Sequence, residues 1–316
     1  MSNRVNRRDV LKAAGVAAAG VLASPLLRWA DAQEGGKPFK VLFFTRSQGF
    51  QHAAITRPRN NPDQLGPAEQ LMVDWGKKHN FEVTATKDGS IFTEQGLAPF
   101  DVIMFYTTGL LDQPIKDQKL GEINNHPMPP GGKEVFLKAI ADGKGFVGVH
   151  SSTDTFHSPP GTVDPYIDMI GGEFVVHHSQ EACKILAADH NWPAIPGLED
   201  FTKYEEWYIL KNLAPDMHVL LVQDTKSMKQ AQYNSLNPYP ETWARHYNKG
   251  RVFYTSMGHR CATDAKDGRG DVWASDIFQK VLMGGLQWAA GNIGAEVKPN
   301  IREVTPGAMI RKSDAV

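Results

Sequence analysis

Histidine recurs at the ends of apolar runs in this chain. GKGFVGVHSSTDTF places His150 directly after Phe146–Val149, with Ser151, Ser152, Thr153 and Asp154 beyond it. EFVVHH ends at His177 and His178, VFYTSMGHR at His259 and Arg260, and KVLFFT leads through RSQGFQH to His52. Imidazole titrates near neutrality and is the commonest transition-metal ligand, so these groups could move protons or hold a divalent ion such as zinc. No fixed-spacing motif of the H-E-x-x-H kind joins them, so their convergence depends on the fold.

YEEWY (Tyr204–Tyr208) adds carboxylates beside aromatics. Glu206 could act as a general base or ligand, with Trp207 or Tyr208 as a stacking platform for a sugar; a strand with one polar and one aromatic face would look the same. Asp154 could orient an imidazole or bind a hydroxyl, although an Asp in an STDT run equally suits a turn or helix cap. Gly148-Val149-His150-Ser151-Ser152 has the small-x-nucleophile-x-small form of a nucleophile elbow, with histidine where Cys or Ser is expected. Cys183 falls inside a strand pattern and Cys261 follows GHR, so a thiol mechanism loses its nucleophile. Ser151 is adjacent to His150 in sequence, and neighbours on a strand point to opposite sides, which disfavours it as a catalytic serine. There is no dinucleotide-binding glycine fingerprint and no Walker A sequence, which argues against NAD and ATP.

These residues need a scaffold that gathers strand ends. KVLFFT reads as a strand buried on both faces, FEVTAT and DVIMFYT as a second and third strand, and PAEQLMVDWGKKHN and GGKEVFLKAIADGKG as helices between and after them. That alternation predicts an α/β fold with a doubly wound, mainly parallel sheet, whose ligands bind outside the carboxyl ends of the strands. Further along, EFVVHH, ACKILAAD, EEWYIL and HVLLVQDT read as strands, and ETWARHYNKGRVFYTSMGH as an added β-hairpin turning at Asn248-Lys249-Gly250. DIFQKVLMGGLQWAAG is a helix that returns to the sheet. One domain over residues 38–292 is expected, followed by an extended, loosely anchored tail over 293–316.

Residues 1–32 read as a twin-arginine export signal: Arg7 and Arg8, an apolar Ala- and Gly-rich stretch, then Ala30-Asp31-Ala32 as a cleavage site. The stretch is too short to span a membrane stably, so an exported, periplasmic chain without stable membrane insertion is expected. Removing the signal's five basic residues (Arg4, Arg7, Arg8, Lys12, Arg28) and two acidic ones (Asp9, Asp31) takes the net charge from −1 to −4, which argues against nucleic acid as a partner. The two cysteines are read as buried thiols, with pairing left open, and the oligomeric state is not encoded in any visible pattern.

At KVLFFTRSQGFQH, DVIMFYTTG, GKGFVGVHSSTDTF, YIDMIGGEFVVHH, YEEWYIL, PETWARHYNKGRVFYTSMGHR and GGLQWAAG the chain resembles the ThuA-like (trehalose utilisation) family of the class I glutamine amidotransferase-like superfamily. The resemblance implies a flavodoxin-like core and a role in carbohydrate metabolism, with a small carbohydrate as partner: a glycoside or a sugar oxidised at the 3-position. It places the family's polar positions on His52, His150, His177, Glu206 and His259. Two departures are Glu205 in place of Asp, and His178 where proline is usual; the second leaves open which histidine faces the site. The resulting expectation casts His150, Glu206 and His259 as catalytic. His52, Asp154, Trp207, Tyr208 and Arg260 would bind substrate, and His150, His177 and His259 are the candidate metal ligands. The alternative is a non-catalytic sugar-binding or accessory protein that lost the superfamily's nucleophile.

Overall fold

The computed structural model describes residues 36–58, 60–61, 63–115, 125–260 and 271–312. The export signal and Cys261 lie outside the described residues. Among those described, no helix is long and apolar enough to cross a membrane.

The runs that read as strands in the first half of the chain form the parallel half of a nine-stranded sheet, with the partly exposed β2 at its edge. β1 (Phe39–Phe44), β2 (Phe81–Thr86), β3 (Val102–Phe105) and β4 (Gly145–Val149) stand in the order β2-β1-β3-β4, and β11 (Gly250–Thr255) lies parallel to β4 as the fifth strand. Every residue of β3 and β4 is buried, as continuous apolar strands between helical layers must be. α1 (Pro67–Lys78) begins with Pro67 in the first turn, where its missing N–H would have had no partner anyway. α2 (Glu94–Leu97) precedes β3, α3 (Gly132–Ala141) precedes β4, and α4 (Pro165–Ile170) follows it. Phe105 stacks on Phe136 of α3 at 4.9 Å and packs edge-on to Phe146 at 5.3 Å, one aromatic cluster under this half of the sheet.

Beyond β11 the sheet continues antiparallel through β10 (Tyr239–Tyr247), β9 (His218–Asp224), β6 (Glu181–Ala187) and β7 (Phe201–Glu205). The expected hairpin is β10–β11: Tyr247 faces Gly250 across a two-residue turn in which Asn248 has φ +53°. α5 (Ala231–Asn234) lies between β9 and β10, and α6 (Asp276–Ala289) covers β4 and β11.

Two expectations need correcting. EEWYIL is not one strand. β7 ends at Glu205, and β8 (Tyr208–Lys211) starts a separate two-stranded sheet with β5 (Glu173–His177), so Glu206 and Trp207 occupy the crossing between sheets. The tail is anchored rather than loose. The Asn300 side chain accepts from Val219 N (2.7 Å) and donates to Val219 O (3.0 Å), imitating a strand partner. α7 (Ile301–Val304) then buries Ile301, and Ile310 bridges Leu213. A single amide that satisfies both backbone groups leaves no apolar pattern in the sequence.

Candidate functional site

The four histidines meet on one carboxylate. Glu206 Oε2 lies 3.4 Å from His150 Nε2 and 3.7 Å from His52 Nε2; Oε1 lies 3.3 Å from His177 Nδ1 and 3.7 Å from His259 Nε2. His52 and His150 pack edge to face, with ring centres 4.8 Å apart, and His259 is 5.6 Å from His52 and 5.5 Å from His150. These groups arrive from the carboxyl ends of β1, β4, β5, β7 and β11, the rim where an open α/β sheet binds ligands. Of the pair His177–His178, His177 faces Glu206, while the His178 backbone N–H donates to Tyr233 Oη at 2.7 Å.

The positioning is legible residue by residue. His150 opens a short 3₁₀ turn directly off β4 with φ +47°, a conformation that costs a non-glycine residue roughly 1–3 kcal/mol. This is the strained strand-to-helix corner of a nucleophile elbow, carrying an imidazole. The corner is clamped: Tyr254 Oη donates to His150 O at 2.8 Å and Tyr166 Oη to Ser152 O at 2.8 Å. His150 Nδ1 donates to Ser256 O at 2.7 Å, which fixes the tautomer and leaves Nε2 facing Glu206 and, at 3.1 Å, Tyr208 Oη. Ser256 is held in turn by Glu241. Between Pro240 and Thr242 β10 carries one residue more than β9, a bulge that frees Glu241 from the ladder. Its carboxyl accepts from Thr255 Oγ1 (3.0 Å), Ser256 Oγ (3.0 Å), Met257 N (2.9 Å) and the Thr242 hydroxyl.

Gly258 completes the corner. With φ +133°, it brings the backbone against β4, where a Cβ would lie 2.8 Å from Val149 Cγ1 and 3.2 Å from His150 Cβ. Its N–H donates to Glu205 Oε2 (3.1 Å), and its carbonyl accepts from Tyr106 Oη and Trp273 Nε1, both at 2.9 Å.

Neighbouring carboxyls are driven in opposite directions. Burial, reinforced by the charge of Glu206, pushes Glu205 well above the usual carboxylate range. Burial also works against ionisation of Glu206, but the facing His150 and His52 rings outweigh it and hold that group below the carboxylate range. His52, 4% exposed, is lowered to about 3 by burial, which the nearby Glu206 only partly offsets; it is a neutral imidazole.

Several expected roles do not fit. Trp207 is fully buried and donates its Nε1–H to Glu181 O at 2.9 Å, so its ring cannot serve as a sugar platform. Tyr208 is also buried, and its hydroxyl, rather than its face, reaches the site. The Asp154 carboxylate is engaged by His157 Nε2 at 2.6 Å, and the Arg260 guanidinium pairs with Asp271 at 2.9 Å. The Ser151 hydroxyl is buried and has no hydrogen-bond partner, so no base is in reach to activate it. The buried Cys183 thiol is pushed up to about 12 by burial and is unreactive. Sequence reasoning missed Glu241, Gln180 (Nε2 3.1 Å from His259 Nδ1) and Phe50, an aromatic 69% exposed whose ring centre lies 4.9 Å from that of His52. Only Phe50 left a signal, as an aromatic in the polar loop that delivers His52.

The ThuA family profile, described as trehalose utilisation, matches residues 40–289. The chain belongs to the ThuA family. Among solved structures it is similar to a ThuA-like protein from Bacteroides uniformis (18% identity, 80% of this chain and 92% of that one, TM-score 0.53). It is also similar to one from Parabacteroides merdae (17% identity, 83% and 93%, TM-score 0.53). No curated protein sequence matches the chain. The family places this protein in trehalose utilisation, and the solved ThuA-like structures share its fold: a mainly parallel sheet flanked by helices.

Proposed function

We propose that this ThuA-family protein is an exported enzyme that transforms a glycoside or a 3-keto sugar by proton transfer at the His150–Glu206 cluster. The observation that carries the reading is the Glu206 carboxyl group encircled by four imidazoles at 3.3–3.7 Å. In this mechanism His150 is the acid/base group. Its Nδ1–H is tied to Ser256 O, so Nε2, which accepts from Tyr208 Oη, is the nitrogen that takes or returns a proton. Beside a keto group a C–H bond is acidified. Nε2 accepts that proton, the C–H electron pair delocalises onto the keto oxygen, and Glu206 stabilises the imidazolium formed. Returning the proton to the former carbonyl carbon, as the hydroxyl on the first carbon passes its own proton to the enolate oxygen, isomerises the sugar; collapse of the enolate instead expels the oxygen on the carbon beyond, and the imidazolium protonates it as it leaves. Tyr208 Oη holds the imidazole in line, and the exposed Phe50 ring beside His52 supplies the stacking face that Trp207 cannot.

A panel of glycosides and 3-keto-glycosides, analysed by chromatography with wild type, His150→Ala and Glu206→Gln, tests this. Turnover by wild type that both variants lose supports it; full turnover by the variants refutes it. Binding without any product would favour a non-catalytic sugar-binding role, consistent with an elbow that carries no nucleophile. Export is tested by fusing residues 1–32 to a reporter, which should stay in the cytoplasm when Arg7 and Arg8 are both changed to Lys.

A further inference from the structure

We propose that His52, Glu206 and His259 form a divalent-metal site of the two-histidine, one-carboxylate type, zinc being the ion such a donor set suits best. The ligand atoms of these three residues lie within 4.8 Å of one another, and all three side chains are buried. Their spacing is the first argument. His52 Nε2 and His259 Nε2 each stand 3.7 Å from a Glu206 oxygen, too far for a hydrogen bond. Two donors on one tetrahedral zinc, each about 2.0–2.1 Å from the metal, stand about 3.3–3.4 Å apart. The spacing therefore suits a shared cation better than direct pairing.

The second argument is His52 itself. It is 4% exposed, and its Nδ1 has no hydrogen-bond partner. With no hydrogen bond at Nδ1 to fix the ring, a cation at Nε2, the atom that faces Glu206, would hold this buried imidazole, since buried polar groups otherwise rely on partners.

The geometry also revises which histidines would serve. The converging set does not include His150, whose Nδ1 donates to Ser256 O and whose Nε2 accepts from Tyr208 Oη, which leaves it beside the ion as a proton carrier. His177 is exposed, its Nδ1 lies 3.1 Å from His178 O, and with His178, Ser179, Gln180, Tyr204 and Glu206 it lines a surface cavity of about 460 Å³. That cavity reaches Glu206 from solvent and would leave the ion a position open to water or a sugar oxygen, as catalytic zinc sites keep.

The inference shares its location with the proposed function but is read without turnover. The full chain is stripped with chelator and titrated with Zn²⁺ against a chromophoric competitor, and Co²⁺ loading is followed by its visible absorption. One ion per chain is expected, with the strong visible bands of four- or five-coordinate cobalt. His52→Ala, His259→Ala and the near-isosteric Glu206→Gln should each weaken binding at least ~100-fold, and His177→Ala less than ~3-fold, with far-UV circular dichroism confirming that each variant is folded. Absence of stoichiometric binding by wild type, or unchanged affinity in folded Glu206→Gln and His52→Ala, overturns the proposal. Turnover that persists in metal-free protein would overturn a metal requirement while leaving the acid/base reading intact. Tight metal binding without turnover would do the reverse.

Discussion

Gly258→Ala should damage this protein more than a glycine substitution in a loop, by an amount that can be worked from two contacts. The residue's φ of +133° lies where L side chains are strained, a penalty of roughly 1–3 kcal/mol. The new Cβ would meet Val149 Cγ1 at 2.8 Å and His150 Cβ at 3.2 Å, and overpacking of this kind costs roughly 1–3 kcal/mol more. Relief by movement is blocked on both sides. Gly258 is held by Glu205, Tyr106 and Trp273, and His150 by Ser256. A loss of about 2–6 kcal/mol follows, or about 4–24 °C at the roughly 2–4 °C per kcal/mol of a large domain. Gly161→Ala separates the two contributions, because Gly161 also has positive φ (+79°) but nothing within 4 Å of a new Cβ. Urea unfolding and calorimetry on both variants provide the measurement. If Gly258→Ala were no more destabilising than Gly161→Ala, the close packing of the 258 backbone against the histidine corner would be refuted.

Three further outcomes follow from the contacts described above. Arg57 pairs with Glu69 through Nε–Oε2 (2.8 Å) and Nη2–Oε1 (3.1 Å), so Glu69→Gln should lose about 3–5 kcal/mol at pH 7 by urea titration. Burial opposes ionisation of Glu69, but Arg57 and Lys87 outweigh it and lower its folded value. Its contribution is therefore present above the unfolded value near 4.5 and lost as pH falls through the folded value, and the variant's deficit should shrink on acidification below pH 4.5. Asn300→Ala removes both side-chain bonds to the buried Val219 backbone; a loss of about 2–4 kcal/mol and faster hydrogen exchange at the Val219 amide are expected. Tyr208→Phe keeps the buried ring but removes the hydroxyl 3.1 Å from His150 Nε2, so turnover should fall by at least ~10-fold while the melting temperature stays nearly constant, and unchanged turnover would remove Tyr208 from the mechanism.

How much of this was legible in the sequence depends on how each feature is encoded. The parallel half-sheet was, because strands buried on both faces must be continuous apolar runs, and KVLFFT, DVIMFYT and FVGV are such runs. The candidate histidines were, because they stand at the ends of those runs, where the fold puts its rim. The break in EEWYIL was not: a continuous polar–aromatic alternation gives no sign that Glu205 and Tyr208 pair in different sheets. The same break explains the misplaced platform, since the chain turns Trp207 into the interior as it crosses. Glu241 was invisible for a related reason. A bulge is one extra residue in a register, and register is a property of two strands together.

The corner at His150 ties these features into one device. A strained φ of +47° persists only where the surroundings over-determine it, and here four contacts from three parts of the fold do so. Tyr254 from β11 holds its carbonyl, Tyr166 from α4 holds Ser152, the segment after β11 accepts from its ring, and Gly258 closes against its Cβ. Glu241 then fixes that accepting segment through Thr255, Ser256 and Met257, so the β10–β9 bulge ends up aiming an imidazole on the far side of β11. A nucleophile elbow has this form. With an imidazole at its tip, the same rigidity sets Nε2 3.4 Å from Glu206 Oε2, the geometry that the proposed proton transfer uses. Glu205 has a matching part: its two oxygens accept from the backbone N–H groups of Glu206 and Gly258, so one carboxyl sets the approach of both the central carboxylate and the glycine that backs the histidine.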